Sequence, residues 1–304
     1  MGRTTVSVIG LGAMGMTIAE LFSKSGARVT VYNRSAGKAA PLLDKGAALA
    51  PDLATAFAAS DTVVMCVSND AAVKELLAAP GVAAAAAART LIQLTTISAE
   101  TARGGAAWAR EHGARYLAGA IQAAPGQMGQ ADTPILISGD EQAWAAQRAR
   151  LSTLGGGLVY LGAEPGAAAT MDLATLSWVY GGMLGFLQGA LIAQSEGVDV
   201  ARYGSIVREI SPSFGAFFQH EGGVIAAGDF AISQSPLRIS VDATERLLQT
   251  ARRAGLSTEL PELTASLFQR ALQQNLGDQE VAALIKVMVP DALRASAASK
   301  GAPA

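Results

Sequence analysis

The first half of the chain alternates short apolar runs with stretches in which apolar side chains recur at helical spacing. The first run, residues 4–9, ends in a glycine-rich turn, which a helix-patterned segment and a second apolar run at 28–32 follow. Further strands are expected at 47–50, 62–67, 90–94, 115–118, 134–138 and 158–160, and helices at 51–59, 83–88 and 99–112. Such an alternation predicts an α/β fold with a mostly parallel, doubly wound sheet.

The pattern changes near Gly162. Residues 166–195 form one long helical stretch that is apolar on most of its circumference, and strand patterns largely disappear after it. A helix that is apolar on nearly all sides needs cover on nearly all sides, so a partner subunit is expected. Further helices are expected at 200–210, 213–220, 241–254 and 260–275, and from residue 279. We therefore predict a first domain over residues 1–162, an all-helical second domain over 163–292 that begins with a long interdomain helix, and a flexible tail over 293–304.

A Gly-x-Gly-x-x-Gly turn joins the first strand to the first helix. In this strand–turn–helix–strand context the pattern is typical of Rossmann-type domains that bind a dinucleotide. Gly10 allows the tight turn, Gly12 lets the backbone approach a pyrophosphate, and Gly15 lets the helix pack closely on the strand. The residues expected at the pyrophosphate, with the positive end of the helix dipole behind them, are Gly10, Leu11, Gly12, Ala13, Met14 and Gly15. The alternative is a structural glycine turn in another kind of parallel α/β protein.

The end of the second strand indicates which dinucleotide binds. NAD sites usually place an Asp or Glu about 20 residues after the glycines, on the ribose 2′-hydroxyl. This chain has Asn33, Arg34 and Ser35 there, with Lys38 one turn later, and no carboxylate. Arg and Lys attract a 2′-phosphate that a carboxylate repels. We therefore expect NADPH as the cofactor, although a solvated basic pair after a strand is common.

Ligands of doubly wound sheets lie beyond the carboxyl ends of the strands. The segment Cys66, Val67 and Ser68 and the pair Thr95 and Thr96 are therefore expected near the cofactor. Cys66 also fits the pattern of a small core residue in a buried strand. The two threonines fit equally well as hydrogen-bond donors to a carboxamide or substrate and as N-terminal caps of the next helix.

Composition narrows the functional classes. The chain of 304 residues is 16% charged with a net charge of −2, which gives no reason to expect nucleic acid or an anionic membrane surface as a partner. The single cysteine, the lack of room for a signal peptide and the absence of an uninterrupted apolar run of membrane-spanning length favour a cytoplasmic protein without a membrane anchor. His112 and His220 have no ligand spacing around them, so no metal site is expected.

The glycine turn, the Asn33–Arg34–Ser35 segment with Lys38, and the long helix resemble the β-hydroxyacid dehydrogenases and their relatives, the imine reductases, over about residues 4–290. Hydroxyacid dehydrogenases carry a Ser-Gly-Gly segment after the sixth strand that holds a substrate carboxylate, and a lysine early in the long helix. This chain has Gln122-Ala123-Ala124 followed by Pro125 in the first place and Asp172 in the second. The resemblance therefore implies the imine reductase branch, many members of which carry an aspartate there.

Asp172 is the expected catalytic residue, because a carboxylate attracts an iminium ion and, when protonated, can donate to an imine nitrogen. The alternative is an acid that only complements the helix dipole. Tyr180 lies about 80° further around the helix and is a second catalytic candidate. The alternative, which is nearly as good, is an aromatic side chain that packs in a dimer core.

The expected function is NADPH-dependent reduction of imines or iminium ions to amines by a homodimer. The expected substrate is an imine, or an amine together with a carbonyl compound. The alternatives are a reductase of small carbonyl compounds that resembles the β-hydroxyacid dehydrogenases, and a non-catalytic NADPH-binding protein.

Overall fold

The computed structural model describes residues 4–290. Within this range the first half of the chain forms one eight-stranded sheet with the strand order β3-β2-β1-β4-β5-β6-β7-β8. The strands are β1 (Thr5–Ile9), β2 (Arg28–Tyr32), β3 (Ala48–Leu49), β4 (Thr62–Met65), β5 (Thr90–Gln93), β6 (Arg115–Ile121), β7 (Pro134–Gly139) and β8 (Gly157–Tyr160). Neighbouring strands are parallel except for β6 and β7, which are antiparallel. The predicted α/β class and mostly parallel sheet are confirmed.

Helices cover both faces of this sheet. They are α1 (Ala13–Lys24), α2 (Ala40–Leu43), α3 (Leu53–Ala58), α4 (Asp70–Leu77), α5 (Val82–Ala86), α6 (Ala99–Glu111) and α7 (Glu141–Leu151). One buried cluster joins α1 and α7, through Phe22 and Leu151, to Val64 of β4. A second cluster packs helices α3, α4, α5 and α6 on the other face of the sheet, where Phe57 of α3 and Met65 of β4 belong to it. Alternate residues of β4 therefore point to opposite layers, as the two-residue period of a strand requires.

Several predicted element boundaries were wrong for local reasons. The helix expected at 51–59 begins only at Leu53, because the Asp52 carboxylate caps it by accepting the Thr55 N–H. The alanine-rich helix ends at Ala86, because Ala88 has a left-handed φ of 60° and donates its N–H to the Gly113 carbonyl. Helices α2, α4 and α7 were not predicted.

The second half of the described chain is helical, as predicted. Its helices are α8 (Ala167–Ser195), α9 (Val200–Ala227), α10 (Leu237–Arg253), α11 (Glu259–Gln273) and α12 (Ile285–Met288). The expectation of two separate helices at 200–210 and 213–220 was wrong, because α9 continues through both and keeps Pro212 inside it. Proline removes one N–H donor from a helix, and here that loss does not end the helix.

Two compact units divide within α8, between Trp178 and Val179. The boundary expected near residue 162 stays a prediction, and the tail at 293–304 lies outside the described residues. Within this chain α8 buries only Ala168, Ala169 and Asp172. By length and composition α8 is also the one helix among the described residues that could cross a membrane.

Candidate active site

A groove of about 520 Å³ lies at the carboxyl ends of β1 and β4, where the strand order reverses. Twelve of the predicted cofactor residues line it, namely Gly10, Leu11, Gly12, Ala13, Met14, Gly15, Asn33, Arg34, Lys38, Cys66, Val67 and Ser68. The lining also includes residues that were not predicted, among them Leu53 and Glu75. The carboxyl ends of parallel strands at such a reversal are the usual place for a dinucleotide.

The three glycines have the geometry that their expected roles require. Gly10 has a left-handed φ of 96°, and a side chain there would overlap the Cys66 carbonyl. A Cβ on Gly15 would overlap the Gly10 carbonyl oxygen and lie 3.0 Å from its carbon. A Cβ on Gly12, which lines the groove, would meet nothing within 4 Å. Gly10 and Gly15 therefore serve the turn itself, whereas Gly12 keeps space open for a ligand.

Helix α1 presents its N-terminus to this groove. Its N-cap is Gly12, which offers no side-chain acceptor, so no capping side chain competes for the first N–H groups. Such N–H groups, together with the helix dipole, favour a phosphate. Space at Gly12 and free donors at the helix end fit the pyrophosphate of a dinucleotide.

Asn33 has a structural role that was not expected from the sequence. Its Oδ1 accepts the Leu11 N–H at 3.0 Å, and its Nδ2 donates to the Ser35 carbonyl at 3.1 Å. Asn33 thereby ties the glycine turn to the end of β2. Arg34 and Lys38 are exposed at the rim and have no ion pair among residues 4–290, so their charges are available to a 2′-phosphate.

Three predicted cofactor residues do not line the groove: Ser35, Thr95 and Thr96. The buried Thr95 hydroxyl accepts the Val67 N–H at 2.8 Å, and the Thr95 N–H donates to Gln93 Oε1 at 2.7 Å. The alternative that a threonine caps α6 is wrong, because Ser98 is the N-cap. Thr95 therefore supports the Val67 backbone at the groove wall.

Cys66 is half-buried beside the glycine turn. Burial raises the pKa of its thiol to about 11, so the thiol stays protonated at neutral pH. This cysteine therefore forms part of the wall, and burial disfavours its thiolate.

A second polar site lies where β6 ends against the start of α8. Asp172 is 4% exposed, and its Oδ1 accepts a hydrogen bond from Gln122 Nε2 at 2.5 Å. Gln122 Oε1 in turn accepts from the Thr175 hydroxyl at 2.7 Å. Burial raises the pKa of the Asp172 carboxyl, and the hydrogen bond from Gln122 opposes this effect.

The start of α8 is fixed to the sheet, which places Asp172. The Ser138 hydroxyl on β7 accepts the Ala168 N–H at 3.0 Å and donates to the Pro165 carbonyl at 3.0 Å. The Glu164 carboxylate pairs with Arg103 at 2.7 Å and also accepts the N–H of the residue that precedes α8. Tyr180, eight residues further along, is 66% exposed and lies in the other compact unit.

The expectation that His220 stands alone was wrong. Its ring lies with the buried carboxyl groups of Glu221 and Glu280, and their ligand atoms are within 4.8 Å of one another. Both oxygens of Glu280 already accept hydrogen bonds, from the amides of residues 233–235 and the Ser233 hydroxyl. This arrangement holds a loop in place and leaves little lone-pair capacity for a metal ion.

Two family profiles cover almost the whole described chain. Residues 5–162 match the NAD binding domain of 6-phosphogluconate dehydrogenase, and residues 164–290 match the C-terminal domain of NADPH-dependent reductive aminase-like proteins. A reductive aminase structure from Aspergillus terreus, in complex with NADPH and ethyl levulinate, is 34% identical with a TM-score of 0.85, over 94% of this chain and 99% of that chain. The chain belongs to the imine reductase and reductive aminase family.

Two further members agree with this assignment. An imine reductase from Myxococcus stipitatus in complex with NADP⁺ is 28% identical with a TM-score of 0.86, over 94% of this chain and all of that chain. The NADPH-dependent reductive aminase of Aspergillus oryzae is 29% identical over 286 residues, which are 92% of this chain and 96% of that protein. The resemblance stated from the sequence is thereby confirmed, and it lies in the imine reductase branch.

Proposed function

We propose that this protein reduces imines and iminium ions to amines with NADPH. The observation that carries the proposal is Asp172, a buried carboxyl group at the position where hydroxyacid dehydrogenases have a lysine. Asp172 is the only charged residue of α8, and it has no ion pair among residues 4–290. A buried carboxylate without a counterion attracts a positively charged substrate nitrogen.

NADPH supplies the hydride for the carbon of the C=N bond when it is bound. The donors of this chain fit that cofactor: N–H groups at the start of α1 would hold the pyrophosphate, Gly12 leaves room for it, and Arg34 and Lys38 would bind the 2′-phosphate. We propose that Ser68, which lines the groove, and Thr96, which does not, approach the nicotinamide, and that Thr95 acts through the Val67 backbone that it holds.

Asp172 has two roles open to it. As a carboxylic acid it donates a proton to the nitrogen of a neutral imine, and burial, which raises the pKa of this carboxyl, favours the acid form. As a carboxylate it pairs with a nitrogen that is already an iminium ion. We propose Tyr180 as a second catalytic residue beside Asp172. The variant Tyr180→Phe separates a role of the hydroxyl group from a role in packing.

The test compares a neutral cyclic imine, such as a pyrroline, with its N-methylated iminium salt. Asp172→Asn keeps the size of the side chain but removes the acidic proton and the charge. We expect kcat for the pyrroline to fall by about 10²–10⁴-fold, the usual contribution of a general acid, with NADPH affinity unchanged. Asp44→Asn, an exposed aspartate outside the groove, is the matched control.

Loss with the neutral imine alone indicates proton donation, and comparable loss with both substrates indicates electrostatic pairing. An unaltered rate with both substrates in a folded Asp172→Asn protein would refute the proposal and leave the helix-dipole role. Oxidation of a β-hydroxy acid with NADP⁺ would favour the hydroxyacid alternative, and NADPH binding without turnover of C=N or C=O substrates would favour a binding protein.

The working unit is proposed to be a homodimer. Large apolar side chains of α8 are exposed in the single chain, at 63% for Trp178, 57% for Leu184 and 51% for Leu187. So much apolar surface on one helix marks an interface with another protein or with a membrane. We propose a second copy of this chain as the protein that covers this surface, as the family resemblance implies. The single free cysteine, Cys66, fits a reducing compartment, and we propose the cytoplasm.

A further inference from the structure

Asp172 is held by a short chain of hydrogen bonds that the family resemblance does not assign. The chain runs from the Thr175 hydroxyl to Gln122 Oε1, and from Gln122 Nε2 to Asp172 Oδ1. We propose that Gln122, whose amide is oriented by Thr175, positions the Asp172 carboxyl group. Asp172 Oδ2 is thereby left as the oxygen that faces the substrate nitrogen. This inference rests on the proposed function, because it concerns the same site.

The backbone of Gln122 is fixed independently of its side chain. The residue follows β6 directly, and its N–H donates to the Pro134 carbonyl at 3.0 Å, which extends the β6–β7 ladder by one residue. The side chain is half-buried between this ladder and α8. A side chain on such a rigid base is well suited to orient a neighbour, since little freedom remains to be lost.

The orientation of the Gln122 amide is determined by its two partners. A hydroxyl donor needs an acceptor, so the Thr175 hydroxyl selects Oε1 and leaves Nε2 for the carboxylate. Thr175 Oγ1 also lies 3.0 and 2.9 Å from the carbonyls of Met171 and Asp172, but the Gln122 contact at 2.7 Å is the shortest of the three. The reversed amide would place its carbonyl oxygen against Asp172 Oδ1, and that arrangement is repulsive while Asp172 is charged.

The two oxygens of Asp172 are therefore not equivalent. Oδ1 is engaged by the amide, whereas Oδ2 accepts no hydrogen bond from the residues that the structure describes. A proton carried by Asp172, or the contact with a substrate cation, consequently belongs on Oδ2. An N–H donor on a carboxylate also stabilises its charged form, so Gln122 opposes the effect of burial.

Few other charges act on this carboxyl group. Asp172 is the only charged residue of α8, β7 has none, and Arg115 of β6 lies at the opposite end of its strand. The other titratable groups on these elements and their connecting loop are Tyr116, Asp132 and Tyr180. Glu164, just before α8, and Arg103 of α6 are paired with each other at 2.7 Å. A change in the titration of Asp172 after mutation of Gln122 can therefore be attributed to the amide.

The test titrates the Asp172 carboxyl by NMR in full-length protein labelled with ¹³C in aspartate, with Asp172→Asn to assign its signal. Gln122→Met keeps the length of the side chain but removes the donor. A hydrogen bond to a charged group corresponds to about one to two pH units, so we expect the titration midpoint to rise by that amount. The pH limb of kcat that reports Asp172 moves upward by the same amount, whether its acid or its anion is the active form.

Thr175→Val and Thr175→Ser form the matched pair, because valine keeps the shape and serine keeps the hydroxyl. We expect Thr175→Val to raise the midpoint, by less than Gln122→Met does, and Thr175→Ser to leave it in place. An unmoved midpoint in Gln122→Met, or in Thr175→Val if the former does not fold, overturns the proposal. A midpoint that moves in a protein without any imine turnover supports the positioning role and refutes the proposed function instead.

Discussion

Gly12 and Gly15 belong to one motif, yet the structure predicts different consequences when each becomes alanine. A Cβ on Gly15 would overlap the Gly10 carbonyl oxygen and lie 3.0 Å from the attached carbon, where carbon atoms prefer about 3.5–4 Å. The obstacle is backbone inside the turn, so it cannot rotate away as a side chain does. We expect Gly15→Ala to lower the free energy of unfolding by about 3 kcal/mol, the upper end of the usual cost of overpacking.

Gly12→Ala is expected to fold almost normally. Its φ of −71° and ψ of −178° suit any residue, and a Cβ there would meet nothing within 4 Å. The loss of a glycine N-cap costs below about 1 kcal/mol. The added methyl group would instead occupy the groove beside the first N–H groups of α1, where the pyrophosphate is proposed, so NADPH affinity should fall by more than about tenfold, or 1.4 kcal/mol.

Urea unfolding without cofactor and calorimetric titration of NADPH separate the two effects. Arg34→Ala is the control for the titration, because it should weaken NADPH binding far more than NADH binding while leaving the turn intact. Equal destabilisation of Gly12→Ala and Gly15→Ala would contradict the steric argument. Unchanged NADPH affinity in Gly12→Ala would show that this groove does not hold the pyrophosphate.

Two further predictions concern assembly and acid stability. Light scattering should give about twice the 30.9 kDa chain mass, and an active monomer, or a protein that stays in solution only with detergent, would contradict the dimer. Glu280→Gln should lower the free energy of unfolding at pH 7 by about 2 kcal/mol, because glutamine keeps only one of the two buried oxygens that accept the amides of residues 233–235, whereas exposed Glu196→Gln should not. Burial raises the pKa of Glu280, but the hydrogen bonds that its carboxylate accepts outweigh this effect. The net result is a pKa of about 2, below the value in the unfolded chain. This stabilisation is therefore present above about pH 4.5 and lost as the pH falls towards 2, and Glu280→Gln should lack this part of the acid sensitivity in urea titrations; an unchanged pH profile would contradict it.

The parts of the molecule that were predicted correctly depend on short stretches of chain. The glycine turn is read within six residues, and the alternation of strands and helices within windows of about ten. The three positions missing from the groove lining, Ser35, Thr95 and Thr96, follow strand ends by a few residues, where one turn of backbone decides which way a side chain points. Sequence patterns do not resolve that rotation.

The contacts that were missed join residues far apart in the chain. Asn33 and Leu11 are 22 residues apart, and they meet because β1 and β2 pair in register. Gln122 and Asp172 are 50 residues apart, and Gln122 was interpreted only as the loss of a carboxylate site. A usable signal was present, because a polar residue at the end of an apolar strand and a lone acid on an apolar helix both require a partner.

In the proposed mechanism, the uncompensated charge at Asp172 explains why the site accepts a cationic nitrogen and not a carboxylic acid. A buried carboxylate normally has a cationic partner, because the cost of removing it from water is otherwise not offset. Among residues 4–290 the Asp172 carboxyl has one neutral donor, Gln122, and no cation. In that mechanism, a substrate with a positive nitrogen would supply the missing counterion, and a neutral imine would gain that charge by accepting the proton. A substrate carboxylate would instead add a second negative charge to the same dry site, so the site that binds an iminium ion is by the same physics one that rejects a hydroxy acid.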